Sequence, residues 1–264
     1  MSQAEIMTDT TDILYHQRDG VATITLNRPE KMNAFRGQTI VDLTAALTRA
    51  SKERSVGVIV ITGSGQKAFS VGGDIDEMKK LDRKSGKVFC AKLAKLTKSF
   101  LSCPKPIIAK VNGYCLGGGN EIQIFCDLTI ASDRSRIGQV GPKIGAAPLW
   151  GGTQILPLLV GLKKACEITF VNKQYTAQEA AEIGLINQSV PEAELDQTVE
   201  NLCRELLHRS PQALHLARKA LYEGLMPRIQ KGLKDLEKIY GSAEALEGMN
   251  AFLEKRPPDW KKFR

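Results

Sequence analysis

Short runs of β-branched and aliphatic residues alternate along this chain with longer stretches in which apolar positions recur at helical spacing. Residues 21–26 (VATITL), 57–62 (GVIVIT), 107–111 (IIAKV), 128–131 (LTIA) and 185–190 (LINQSV) predict strands. Ile40, Leu43, Leu47 and Ala50 share one helical face, as do Val199, Leu202 and Leu206 in the segment that begins near Leu195. Alternation of this kind predicts an α/β architecture with a mostly parallel sheet. After Val190 every further element reads as helix: TVENLCRELL, then SPQALHLARKALYEG with Ser210 as N-cap and Pro211 in the first helical position, then IQKGLKDLEKIYG. The chain therefore divides into an α/β body, residues 1–190, and a helical region, residues 191–264. That region has no sheet of its own, so it must pack on the body or on a neighbouring subunit. There is no internal repeat, low-complexity tract or long linker.

A length of 264 residues is ample for one large core, and 42% hydrophobic with 25% charged residues is the balance of an ordinary globular protein. No apolar run approaches the roughly 18 residues of a membrane span, so membrane-integral, fibrous and wholly disordered classes fall away. The opening MSQAEIMTDTTD lacks the basic and apolar regions of a secretory signal and the arginines of a transit peptide, so the expected compartment is the cytoplasm. The six cysteines include no CxxC pair and only three histidines exist to join them, which predicts reduced, mostly buried thiols and no metal site.

A net charge of +8 asks for an anionic partner, and between Lys79 and Lys98 eight basic residues face Asp82 alone. A solvated helix face, a polyphosphate-bearing ligand and nucleic acid all fit such a stretch. Against nucleic acid stand an aromatic content of 6%, a single aromatic (Phe89) near the centre of the stretch, and no RNP-type or zinc-finger spacing.

Two glycine-rich turns carry the candidate chemistry. FSVGGDIDEM (69–78) and GYCLGGGNEIQIFCD (113–127) each follow a strand and open a helix. Such a turn leaves backbone N–H groups free at the positive end of a helix dipole, where an anion or developing oxyanion binds. Neither matches the dinucleotide fingerprint or the P-loop, and GSGQK at Gly63 has the wrong spacing for a phosphate loop. Glu121 stands in the first turn of the second helix among Ile122, Ile124, Phe125 and Cys126, where burial opposes ionisation and the helix N-terminus favours it. The arrangement suits an acid/base, and equally a capping or ion-paired glutamate. No Ser-His-Asp set stands out, because His16 precedes a strand and His208 and His215 fall in the helical tail.

RPEKMNAF (28–35), KAFSVGGDIDEM, KPIIAKVNGYCLGGGNEI, CDLTIAS, GQVGPKIGAAPLWGGTQ and EGMNAFLEKRPPDW, in that order, resemble the enoyl-CoA hydratase/isomerase (crotonase) superfamily over nearly the whole chain. The resemblance implies a spiral of ββα turns with a helical C-terminal region, assembled as homotrimers or hexamers. It implies an acyl-CoA substrate and no cofactor beyond the coenzyme A moiety of that substrate. Gly73 and Gly118 match the positions whose amides hold the thioester oxygen, and Glu121 matches a catalytic glutamate. Lys31, Met32, Ala34 and Ala68, with Val71, Gly72, Asp74 and Ile75, match the part that receives the coenzyme A arm. Met78, Gly141 and Trp150 fall at the acyl pocket.

The chain departs from the family's hydratases in one place, since Gly141 stands where they carry a second glutamate. GQVGPKIG and KMNAFRG are similar to the subgroup of dihydroxynaphthoyl-CoA synthase and 2-ketocyclohexanecarboxyl-CoA hydrolase. In that subgroup Tyr240 and Lys255 would contact ligand in an adjacent subunit's site. The subgroup, however, has an apolar residue at Glu121 and an aspartate at Pro148. PLWGG, with a single glutamate, resembles family decarboxylases. The expected activity is therefore enoyl-CoA hydratase-type, on a cyclic or branched acyl group. Ring C–C hydrolysis and decarboxylation are alternatives, and a non-catalytic CoA-ester or RNA-binding protein is the alternative of another class.

Overall fold

The structure, a computed structural model, describes residues 12–264. The reading of the N-terminal leader falls almost wholly on residues 1–11, outside the described residues.

Strands β1 (Ile13–Arg18) and β2 (Val21–Leu26) form an antiparallel hairpin that turns at Asp19 and Gly20, both at positive φ. His16 lies within β1, whose partly polar sequence hides it from the pattern. Helix α1 (Gly37–Lys52) follows. Each of the next three steps lays one strand into a first sheet and a three-residue strand into a second. The pairs are β3 (Val58–Gly63) with β4 (Ala68–Ser70), β5 (Ile107–Val111) with β6 (Tyr114–Leu116), and β7 (Leu128–Ser132) with β8 (Arg136–Gly138). Helices α2 (Ile75–Met78) and α3 (Arg83–Leu101) fill the first step, and α4 (Gly118–Phe125) the second. The third step is followed by α5 (Gly152–Cys166), β9 (Gln174–Thr176), α6 (Ala177–Glu182) and β10 (Gln188–Val190).

The sheets run β1-β2-β3-β5-β7-β10 and β4-β6-β8-β9, parallel apart from the β1–β2 and β8–β9 pairs. Both advance by one strand at each step, which makes the ββα spiral. The predicted strand over 185–190 shortens to β10 because Leu185 and Asn187 serve the turn before it, where the Asn187 N–H donates to Thr129 O at 3.0 Å.

β3 is buried at every residue because both faces of the sheet are covered. Ile59 and Ile61 join the main core, while Val58 and Val60 meet Leu195, Val199 and Cys203 of α7 (Leu195–Leu207). α8 (Pro211–Leu221) opens on Ser210, whose Oγ accepts from the Ala213 N–H. It is fixed by the buried Arg218–Asp127 pair at 2.9 Å. α9 (Leu225–Ile239) packs along α3 and α5, and α10 (Ala243–Leu253) lies on the turn at residues 141–144. The last contact is intimate: a Cβ on Gly248 would fall 2.4 Å from the Ile144 carbonyl carbon.

α3 buries Phe89, Cys90, Leu93, Leu96 and Phe100. Lys79, Lys80, Arg83, Lys84, Lys87, Lys95 and Lys98 are exposed, so the basic stretch is a solvated surface. All six cysteines are free thiols, five of them buried. Among the described residues no helix is long and apolar enough to cross a membrane.

Candidate active site

Because β4 pairs in parallel with β6, the glycine turns that leave their C-terminal ends lie side by side. Gly72 (φ 100°) needs the conformational freedom of glycine. The two turns also touch, since a Cβ on Gly72 would sit 2.8 Å from Gly118 N and one on Gly118 would sit 2.5 Å from the Phe35 ring. The Phe35 N–H donates to Gly72 O and the Asp74 N–H to Phe35 O, both at 2.8 Å, which skips the Gly73 amide between them. Gly118 is the first residue of α4, so its N–H has no acceptor within the helix. Neither amide donates to a protein acceptor among the described residues. The frame beneath Gly73 is ionic: Asp74 caps α2 and pairs with Arg28 at 2.9 Å, and Arg28 also donates to Ala34 O at 2.6 Å.

The first turn of α4 carries Glu121 into the interior, where it is 6% exposed. Its Oε1 accepts the Gly152 N–H at 3.1 Å. Burial pushes its pKa up to about 8, and the backbone N–H groups of Gly152 and Trp150 only partly oppose that rise. Gln139 and Pro148 share its corner. A Cβ placed on Gly152 would lie 3.2 Å from Glu121 Oε1, 3.3 Å from Gln139 Nε2 and 2.8 Å from Pro148 Cβ. Gln139 is fully buried, yet neither its Nε2 nor its Oε1 has a hydrogen-bond partner.

Gly73, Gly118, Glu121 and Gln139 line one cavity of about 80 Å³. That is room for roughly three waters at about 30 Å³ each, in a cavity that opens to solvent on one side. Met78 and Trp150 wall it, and Met78 Sδ lies against Gly73. The Trp150 indole donates to Thr97 Oγ1 at 2.7 Å and packs edge-on to Phe35, which fixes its ring. Gly141 also lines the cavity, and a Cβ there would meet Ala146 O at 3.0 Å, a tight contact that asks the 141–147 turn to give by a few tenths of an ångström.

Tyr240 lines the cavity of its own chain, stacked edge-on against Phe89 with ring centroids 5.7 Å apart. It is brought there because α9 folds back along α3. Burial, then the neighbouring Cys90 and Glu121, raise its phenol pKa. Lys255 is exposed beyond α10 and does not line the cavity.

The remaining expected residues form one rim that leads to Gly73. Met32 O accepts the Val71 N–H at 3.3 Å, Ala68 O accepts from the Asn33 side chain at 2.7 Å, and Lys31 reaches Asp76 at 3.1 Å. Ala34 is buried beside them, and Ile75 opens α2 just after Asp74. Gln139 and Phe35 are the site residues that residue patterns do not single out. A lone amide in the glycine and aliphatic stretch after β8 is the signal that marks Gln139.

A larger cavity of about 430 Å³ opens on the opposite face of the sheet, beneath α7. Among the charges that line it, Lys110 pairs with Asp196 at 2.6 Å and Arg18 with Asp19 at 3.1 Å. The smaller cavity, which joins free amides to a buried acid, is the one equipped for chemistry.

Residues 16–263 match the sequence model of the family described as enoyl-CoA hydratase/isomerase. An enoyl-CoA hydratase/isomerase from Xanthobacter autotrophicus Py2 is 30% identical over 93% of this chain and 94% of its own, with a TM-score of 0.85. An enoyl-CoA hydratase from Bacillus anthracis is 30% identical over 94% of this chain and 98% of its own, with a TM-score of 0.77. One from Mycobacterium avium subsp. paratuberculosis K-10 is 25% identical over 95% and 99%, with a TM-score of 0.85.

Proposed function

The chain belongs to the enoyl-CoA hydratase/isomerase family, and from that premise we propose that it hydrates a compact 2-enoyl-CoA, branched or cyclic in its acyl group. The observation that carries this reading is the pair of undonated amides, Gly73 and Gly118, lining one small cavity with the buried Glu121. The thioester oxygen accepts from both amides. As negative charge grows on that oxygen the two bonds strengthen, each worth roughly 3 to 4 kcal/mol in the transition state. The coenzyme A arm enters along the rim of Lys31, Met32, Ala34, Ala68, Val71, Gly72, Asp74 and Ile75.

Glu121 handles the proton. Its ionised form takes a proton from water as the water oxygen bonds to the β-carbon, and the enolate collects on the thioester oxygen. The same carboxyl then returns the proton to the α-carbon, so one group serves both ends of the addition. Leu158, Leu162, Phe170 and Val171, exposed near the end of α5, offer the apolar face that a homotrimer or hexamer would cover, and light scattering tests that part of the reading.

Decarboxylation is the second reading, favoured by the crowding at Gly141 that leaves the site a single acid. It uses the same enolate and one protonation. The deciding experiment incubates wild type and Glu121→Gln with enoyl-, β-keto-cyclic and malonyl-type CoA esters and identifies products by mass. Water addition to the double bond, dependent on Glu121, supports the lead. Loss of carbon dioxide selects the second reading, and water gained at a ring carbonyl carbon selects C–C hydrolysis. No turnover, with RNA binding that falls steeply with salt, would replace an enzymatic role with a binding one.

A further inference from the structure

The Gln139 side chain has no structural employment. It is fully buried, its amide nitrogen and oxygen are both unpaired, and Pro148 and the Gly152 α-carbon beside it offer no polar atom. Exchanging the two amide atoms leaves both unpaired, so the orientation assigned to the amide does not matter. Buried polar groups without partners are rare and costly, and one kept beside a functional acid calls for a ligand. Glu121 Oε1 lies at the same corner, both groups within 3.3 Å of a Cβ placed on Gly152.

A primary amide offers donors and an acceptor together. A carboxylate would satisfy only the donors and a carbonyl only one of them, whereas a water or hydroxyl oxygen both accepts and donates. Resting on the hydratase reading above, we infer that Gln139 holds the oxygen that is added to or lost from the β-carbon of the acyl group. Nε2 donates to that oxygen and Oε1 accepts one of its hydrogens, which aims the other hydrogen at Glu121.

The step balances without any co-reactant. One O–H bond of water breaks and its proton goes to the Glu121 carboxylate. The oxygen's electron pair forms the bond to the β-carbon, and the π pair moves toward the thioester, whose oxygen becomes the enolate anion. Glu121 then gives its proton to the α-carbon and the thioester carbonyl re-forms. Gln139 exchanges no proton at any stage. It makes the site selective for acyl groups that gain or carry a β-oxygen, a task distinct from forming the enolate.

The test separates the two tasks. Hydration of a short 2-enoyl-CoA is measured beside exchange of the α-hydrogens of a saturated acyl-CoA with deuterated water. Exchange requires Glu121 and the two amides and involves no β-oxygen. Gln139→Leu and the length-matched Gln139→Met should lower the hydration kcat by about tenfold to a hundredfold, the worth of two neutral hydrogen bonds. They should retain α-exchange, leave KM within about twofold, and unfold at the wild-type temperature or above it, because the lost amide had no partner. Glu121→Gln should lose both reactions. Variants that hydrate as fast as wild type, lose exchange in equal measure, or both unfold at lower temperature overturn the role of Gln139. A wild type inert in both assays overturns the hydratase reading first and the Gln139 role with it.

Discussion

Replacing Glu121 by Gln should change the stability of the protein in a way that depends on pH. In the unfolded chain this carboxyl ionises near its ordinary 4.5, whereas burial holds its proton until about pH 8 in the fold. Between those values folding takes up a proton at Glu121, so this group's contribution to stability is greatest below about pH 4.5 and declines as pH rises toward 8. A shift from 4.5 to about 8, at about 1.4 kcal/mol for each tenfold change in proton affinity, amounts to about 5 kcal/mol once pH exceeds 8. The substituted glutamine does not titrate and keeps nearly the same shape. The unfolding free energy of the variant relative to wild type should therefore rise between pH 5 and pH 9, with a slope approaching about 1.4 kcal/mol per pH unit. Urea unfolding of both proteins at matched pH and protein concentration measures the difference. A difference that stays constant from pH 5 to pH 9 would refute the reasoning, because it would mean that Glu121 ionises in the fold as readily as in water.

The hydration rate should climb with pH and level off near pH 8, since the carboxylate that accepts the proton from water is scarce below that value; a profile flat from pH 5 to 8 contradicts the assignment. Asp74→Ala removes the partner of the half-buried Arg28 and the cap of α2, and calorimetry should register a loss of about 2 kcal/mol together with reduced kcat. Gly141→Glu should not install a second acid, because its Cβ would press on the Ala146 carbonyl; crotonyl-CoA hydration faster than wild type would show that the turn yields instead.

Some elements are plain in the chain and others are not, for physical reasons. β5 is legible because a central parallel strand is apolar on both faces, and α3 because Phe89, Leu93, Leu96 and Phe100 repeat on one side while its lysines face water. β1 escapes the pattern although the Asp19-Gly20 pair announces its hairpin, since His16, Gln17 and Arg18 erase the apolar alternation. The strands of the second sheet span three residues each, too few for any period to register. Glu121 is visible because a helix opened by glycines must present its first turn to whatever the turn binds. The unpaired state of Gln139 is not, because it arises only when residues 121, 148 and 152 converge on it, and local sequence does not encode that convergence. The place of Tyr240 in its own chain's cavity is hidden for the same kind of reason: only the path of α9 along α3 carries it there.

The seating of Gly248 on the Ile144 carbonyl has a bearing on how this protein can be recombined. The floor of the acyl pocket is braced by a helix that lies roughly a hundred residues further along the chain, and the brace leaves no space for even a methyl group. A chimera that borrows its final helices from a relative would import a different brace and shift the 141–147 turn, and with it the pocket. The two segments should behave as a single inherited unit, exchanged together or not at all.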